Sequence, residues 1–139
     1  MDNMVVPNGS YKLAKRIGDV VYTSGITPKI DGELIMTGKI SAADDISKYK
    51  EIAEQTIKNA IYVTDQELTL HESVTEVVDM TVYINASDDF TQHARIADFA
   101  SDYLFKVFGE DGLGTRTAVG VSSLPDNSPI EIKLITAVK

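Results

Sequence analysis

At 139 residues, 43% apolar and 24% charged, the chain has the make-up of one globular domain with a single core, which excludes a disordered or fibrous protein. Its 21 acidic and 13 basic side chains give a formal net charge of −8, and such a surface repels phosphate backbones and anionic lipid, so neither nucleic acid nor membrane is an expected partner. The absence of cysteine excludes disulfides, thiolate metal sites and a cysteine nucleophile.

Three short strand-like pieces come first. Tyr11 to Arg16 is mixed in character, and Asp19 to Thr23 is rich in β-formers behind Gly18. Glu33 to Thr37 follows Pro28 and the turn pair Asp31-Gly32 and stops at Gly38. Ile46, Tyr49, Ala53, Ile57, Ala60 and Ile61 then recur at helical steps, with Asp44 or Asp45 placed to cap the N-terminus. Val74 to Asn85 alternates as a long strand, with Val78, Met80, Val82 and Ile84 on one face and Asp79, Thr81 and Tyr83 on the other.

A second helix is expected from Ser87, as N-cap, to Phe108 before Gly109. Its apolar residues form two stripes: Phe90, Ala94, Ala97, Ala100, Leu104 and Phe108, and beside them Ile96, Phe99, Tyr103 and Val107. Together they are wider than the roughly 100° a surface helix buries. The helix is therefore set deep in the core or meets another subunit. Two strands close the chain, Arg116 to Val121 and Ile130 to Val138, around a loop holding Pro125 and Pro129. The order β-β-β-α-β-α-β-β describes one α+β domain over residues 1–139, with two helices on one face of a mixed sheet. The other sheet face then needs cover, and other subunits are the economical source. The N-terminus lacks the regions of a secretory signal, and no apolar run approaches the ~18 residues of a membrane span, so the expected location is cytoplasmic.

Two side chains stand out chemically. Arg116 opens a strand directly after Gly112-Leu113-Gly114, and a guanidinium there can grip a carboxylate through two parallel hydrogen bonds. Glu131 lies between Ile130 and Ile132, so it points to the face opposite theirs. If that face is enclosed, desolvation raises its pKa toward the range useful for proton transfer. Spacing alone favours the plainer alternative of a solvated glutamate paired with Lys133. His71 and His93 have no partner at metal spacing, Thr23-Ser24-Gly25 lacks the rest of a nucleophile elbow, and Gly112 with Gly114 is only a lone GxG. The acidic residues Asp98, Asp102 and Glu110 fit a solvated helix face. No metal and no cofactor is expected.

The segments Gly9-Ser10-Tyr11, Val21-Tyr22-Thr23-Ser24-Gly25, Asp89-Phe90, Arg116-Thr117-Ala118-Val119, Leu124-Pro125 and Ile130-Glu131-Ile132 resemble, in order and spacing, the reactive-intermediate deaminase (Rid/YjgF) family. The stretch from Ala86 through Val107, longer than in the enamine deaminases, resembles a less-studied branch. The resemblance implies a chorismate-mutase-like fold assembled as a homotrimer with clefts between subunits. It implies that Arg116 grips the carboxylate of a 2-imino or 2-enamino acid and that Glu131 positions the water that releases ammonia. Tyr11, Ser24, Gly25, Thr117 and Ala118 are implied to line the cleft. The same residues also fit a non-catalytic keto-acid sensor or carrier. Two positions depart from the family's pattern. Ala118 stands where the deaminases usually carry cysteine, and their helix asparagine falls on Ala94 or Asp98. An aspartate in the cleft would repel a carboxylate and shift selectivity.

Overall fold

A computed structural model describes residues 5–139. A five-stranded sheet in the order β1-β2-β7-β5-β6 organises the chain, from β1 (Ala14–Ile17), β2 (Val20–Thr23), β5 (Val74–Asn85), β6 (Thr115–Val121) and β7 (Ile130–Val138). Only β5 and β6 run parallel, because α2 (His93–Phe108) carries the chain back between them. The remaining pairs are antiparallel.

The expected third strand is a correction in part. Only Glu33–Leu34 (β4) is extended and paired, and it pairs with Lys29–Ile30 (β3) in a separate two-stranded hairpin around Asp31 and Gly32. Asp31 and Gly32 both have positive φ, which closes this two-residue turn tightly.

Asp45, of the two candidate caps, holds the start of the first helix. Its carboxylate accepts from the backbone N–H and hydroxyl of Ser47 at the head of a 3-10 turn, Ile46–Tyr49, that runs into α1 (Lys50–Asp65). Ile52, Ala53, Ile57, Ala60 and Val63 bury one face of α1 against β7 and β2. The second helix begins at His93 rather than near Ser87. Ser87 is diverted: its N–H and hydroxyl both donate to the Ile40 carbonyl, and Phe90 folds into the core three residues before the helix begins. On α2, Ile96, Ala97, Ala100 and Leu104 are buried, Phe99 and Tyr103 are half-buried, and Phe105 and Val107 are exposed.

The core lies between the helices and one sheet face, built by Val21, Met80, Val82, Ile84, Ile130, Ile132 and Leu134. Val78, expected among them, turns out to the surface and Val77 takes its place. A bulge between Val77 and Asp79 adds a residue and inverts the alternation upstream. Ile132 is fully buried at the centre of β7, so Ile132→Ala should cost about 2–5 kcal/mol in urea unfolding. The opposite sheet face carries Val20, Tyr22, Tyr83, Val119, Ile135 and Ala137 in register, and both helices lie on the other side.

One long-range pair ties β1 to the loop before β5. Arg16 Nη1 and Nη2 donate to the two Glu72 oxygens at 2.6 and 2.7 Å, and the Thr69 N–H donates to the same carboxylate at 2.8 Å. The guanidinium above all holds Glu72 down from 4.5 to about 2. A carboxyl with a depressed folded value stabilises the fold above its unfolded value and loses that contribution as pH falls through the folded one. Wild type should therefore melt above Glu72→Gln at neutral pH, and the gap should close between about pH 4.5 and about 2. Thermal melts across that range check it.

Candidate functional site

Strand parity decides where the two candidate side chains go. On β7, Ile130, Ile132 and Leu134 point into the core, which turns Glu131 to the opposite face beside Tyr83. There its carboxylate lies across Gly25. A Cβ at residue 25 would stand 2.0 Å from Glu131 Oε2 and 2.6 Å from Cδ, so the carboxylate has this position only because residue 25 is glycine. It faces a cavity of about 180 Å³ lined also by Tyr11, Leu13, Ile26, Thr27 and Lys29. Among the described residues nothing donates to the carboxylate or pairs with it, and desolvation by burial raises its pKa above the usual glutamate range. Lys133, the partner expected on the plainer reading, instead donates to the Thr23 carbonyl at 3.0 Å. Lys29, at the cavity wall, stands 3.8 Å from Asp126.

The neighbouring candidates differ in what they offer. Tyr11 is exposed and its hydroxyl accepts from the Asn8 N–H at 2.9 Å. The Ser24 hydroxyl donates to the Lys12 carbonyl at 2.6 Å, and the Ser24 N–H donates to Leu13 at 2.8 Å. Ser24 thus clamps the Tyr11 segment against the end of β2 and keeps Tyr11 at the rim of the Glu131 cavity.

Arg116 is on the other face of the sheet. It pairs in register with Met80, which is a core residue, and its side chain runs toward α2. Nη1 donates to Asp98 Oδ1 at 2.8 Å and to the Ser101 hydroxyl at 3.0 Å, while Nη2 makes only a long contact, 3.4 Å, to the Ala94 carbonyl. Asp102, Leu104 and Leu113 complete a cavity of about 340 Å³ around this group. Gly114 allows the approach: a Cβ there would meet the Val77 and Val78 carbonyls, at the β5 bulge, at 2.5 and 2.6 Å. Ala118 follows Arg116 on the core side opposite Val82, and Thr117 projects from the other face opposite Thr81.

One chain therefore brings Tyr11, Gly25 and Glu131 together, and separately Arg116 with Asp98 and Ser101. The two cavities share no lining residue and open on opposite sheet faces. The sequence left Asp98 open between a solvated helix face and a place in the cleft, and did not single out Ser101. Their three-residue spacing, which stacks them on one helix face, was the available signal. Among the described residues no group of three histidine, aspartate or glutamate side chains could hold a metal ion, and no helix is long and apolar enough to cross a membrane.

Comparison with known proteins agrees with this architecture. Residues 1–138 match the family model described as Endoribonuclease L-PSP. Protein TCP17 of Trypanosoma cruzi is 32% identical over 116 residues, covering 83% of this chain and 72% of that protein. A 2-iminobutanoate/2-iminopropanoate deaminase of Dermatophagoides farinae is 26% identical over 134 residues, covering 96% and 89%. Among solved structures, the protein Atu1372 of Agrobacterium tumefaciens superposes with a TM-score of 0.83 at 26% identity, over 97% of this chain and 85% of that one. The chain belongs to the Endoribonuclease L-PSP family, the Rid/YjgF proteins, and has their chorismate-mutase-like α+β fold.

Proposed function

We propose that the chain hydrolyses small 2-imino or 2-enamino acids to 2-keto acids in clefts between the subunits of a homotrimer. Arg116 of one subunit binds the substrate carboxylate. Glu131 of its neighbour takes a proton from the attacking water as the water oxygen bonds to the imine carbon. That proton passes to the nitrogen as the resulting carbinolamine breaks its C–N bond to give the keto acid and ammonia. The observation that carries this reading is the Glu131 carboxylate itself: unpaired, partly desolvated, and held over Gly25 toward an open cavity. A structural glutamate has no reason to accept that desolvation, whereas a general base gains from a pKa moved toward the working pH. The apolar sheet face away from the helices supports assembly, and because Arg116 and Glu131 lie on opposite faces, only two chains can bring both to one ligand. The family model's description names an endoribonuclease. A net charge of −8 and the lack of a basic, aromatic surface weigh against RNA as substrate here.

The test generates 2-iminopropionate or 2-iminobutyrate in situ and follows its loss. Wild type should accelerate hydrolysis, and Arg116→Ala should lower kcat/KM about tenfold to a hundredfold by removing charge-assisted hydrogen bonds to the carboxylate. A rate equal to the uncatalysed one, unaffected by the substitution, sinks the proposal. Light scattering should give three chains per particle. A second reading, carboxylate binding without turnover, is favoured by the Asp98–Arg116 pair, which a substrate carboxylate has to share. Calorimetric binding of 2-ketobutyrate with no imine hydrolysis would select it.

A further inference from the structure

The guanidinium of Arg116 already has a carboxylate partner, and the geometry of that pair says which ligands it accepts. Asp98 and Ser101 both receive hydrogen bonds from Nη1, Nη2 makes only its long contact to Ala94, and Nε has no partner among the described residues. The Nε–Nη2 edge therefore carries no short hydrogen bond among the described residues, and it is one of the two edges of the fork that a ligand carboxylate can engage through parallel hydrogen bonds. Asp98 holds the guanidinium from the far side without filling that edge.

The charges in the same cavity are the second observation. Arg116 supplies one positive charge, while Asp98 and Asp102, one turn apart on α2, supply two negative ones. A plain keto-acid anion adds a third carboxylate to this space. A ligand whose carboxylate neighbours a protonated nitrogen adds no net charge, and its nitrogen has Asp98 and Asp102 to face. We infer that Asp98 makes the Arg116 pocket selective for zwitterionic carboxylates, so that a 2-iminium acid is held better than the 2-keto acid formed from it. This rests on the proposed reading of Arg116 as the carboxylate anchor. It gives Asp98 a role beyond orienting the arginine: after hydrolysis removes the cationic nitrogen, the remaining anion shares the single Arg116 charge with Asp98 and Asp102 and is held less tightly.

The test uses the assembled full chain and two stable probes of equal length, 2-aminobutyrate for the zwitterion and 2-ketobutyrate for the anion, titrated calorimetrically at low salt. Wild type should bind 2-aminobutyrate more tightly. Asp98→Asn keeps an oxygen acceptor for Nη1 but removes the charge, and should weaken 2-aminobutyrate, tighten 2-ketobutyrate and shift the ratio of their Kd values about three- to tenfold. Asp98→Glu, which keeps the charge, should keep the preference. A ratio that is the same in wild type and Asp98→Asn, or a wild type that prefers 2-ketobutyrate, overturns the inference. If neither acid binds, or if Arg116→Ala binds both as wild type does, the carboxylate-anchor reading fails and the selectivity fails with it. Binding that needs Arg116 but ignores Asp98 removes the selectivity alone.

Discussion

Glu131→Gln should abolish most of the imine-hydrolysing activity while making the protein more stable at neutral pH. Loss of a positioned general base costs about 10²–10⁴ in rate, and glutamine keeps the size and the hydrogen-bonding oxygen while losing the basicity. The stability effect has the opposite sign for the same physical reason. Burial raises the folded pKa of Glu131 above its ordinary value of 4.5, so the folded state holds the proton more tightly than the unfolded chain does. Between the ordinary and the raised value, stability falls as pH rises. Above both, wild type carries the whole penalty of a desolvated carboxylate, which the glutamine variant lacks. The difference in melting temperature should therefore be absent in acid, open as pH climbs from about 4.5, and stay constant once Glu131 is fully ionised. The acid limb of kcat/KM should lie above the usual glutamate range and vanish in the variant. An active site under selection tolerates such a cost, whereas a structural residue that destabilises its own fold is hard to explain. A variant that is both active and less stable would assign Glu131 to packing.

Much of this arrangement was legible in the sequence, and what was not has identifiable causes. The alternation of β7 placed Glu131 opposite Ile130 and Ile132, and the structure keeps it there. The same rule failed at Val78, because a bulge is a single extra residue that leaves no mark in a hydrophobic pattern. The start of α2 differs from the expected one because Ser87 looks like a cap. Only the tertiary neighbour, the Ile40 carbonyl, shows that Ser87 is engaged elsewhere. Arg116 and Glu131 were both legible as residues, yet their opposite faces follow from the parallel register of β6 on β5, which no local pattern reports. Asp98 needed the same knowledge. Until strand and helix are placed side by side, an aspartate on a polar helix face is ordinary.

Gly25→Ala offers the sharpest test of how the Glu131 cavity is built. The new methyl would stand 2.0 Å from Oε2, 2.6 Å from Cδ and 2.9 Å from Cγ of Glu131, closer than atoms can approach. The three nearest atoms it meets all belong to the flexible Glu131 side chain, so the glutamate is expected to swing away from residue 25 with the backbone kept in place. Gly25 is not among the positive-φ glycines, so alanine fits its backbone conformation and should contribute about 0.4–1 kcal/mol by restricting the unfolded chain. Relief of the Glu131 desolvation adds to this. The expected variant is thus folded, at least as stable as wild type in urea, and slowed by a factor of the same order as Glu131→Gln. Its residual acid limb should move down toward the ordinary glutamate range, since the displaced carboxylate meets water. The double variant should be no slower than Glu131→Gln alone, because both substitutions remove the same positioned group. Multiplying losses would mean that Gly25 acts on the ligand by itself. Wild-type activity in Gly25→Ala would mean that the carboxylate held over Gly25 is not the one that does the chemistry.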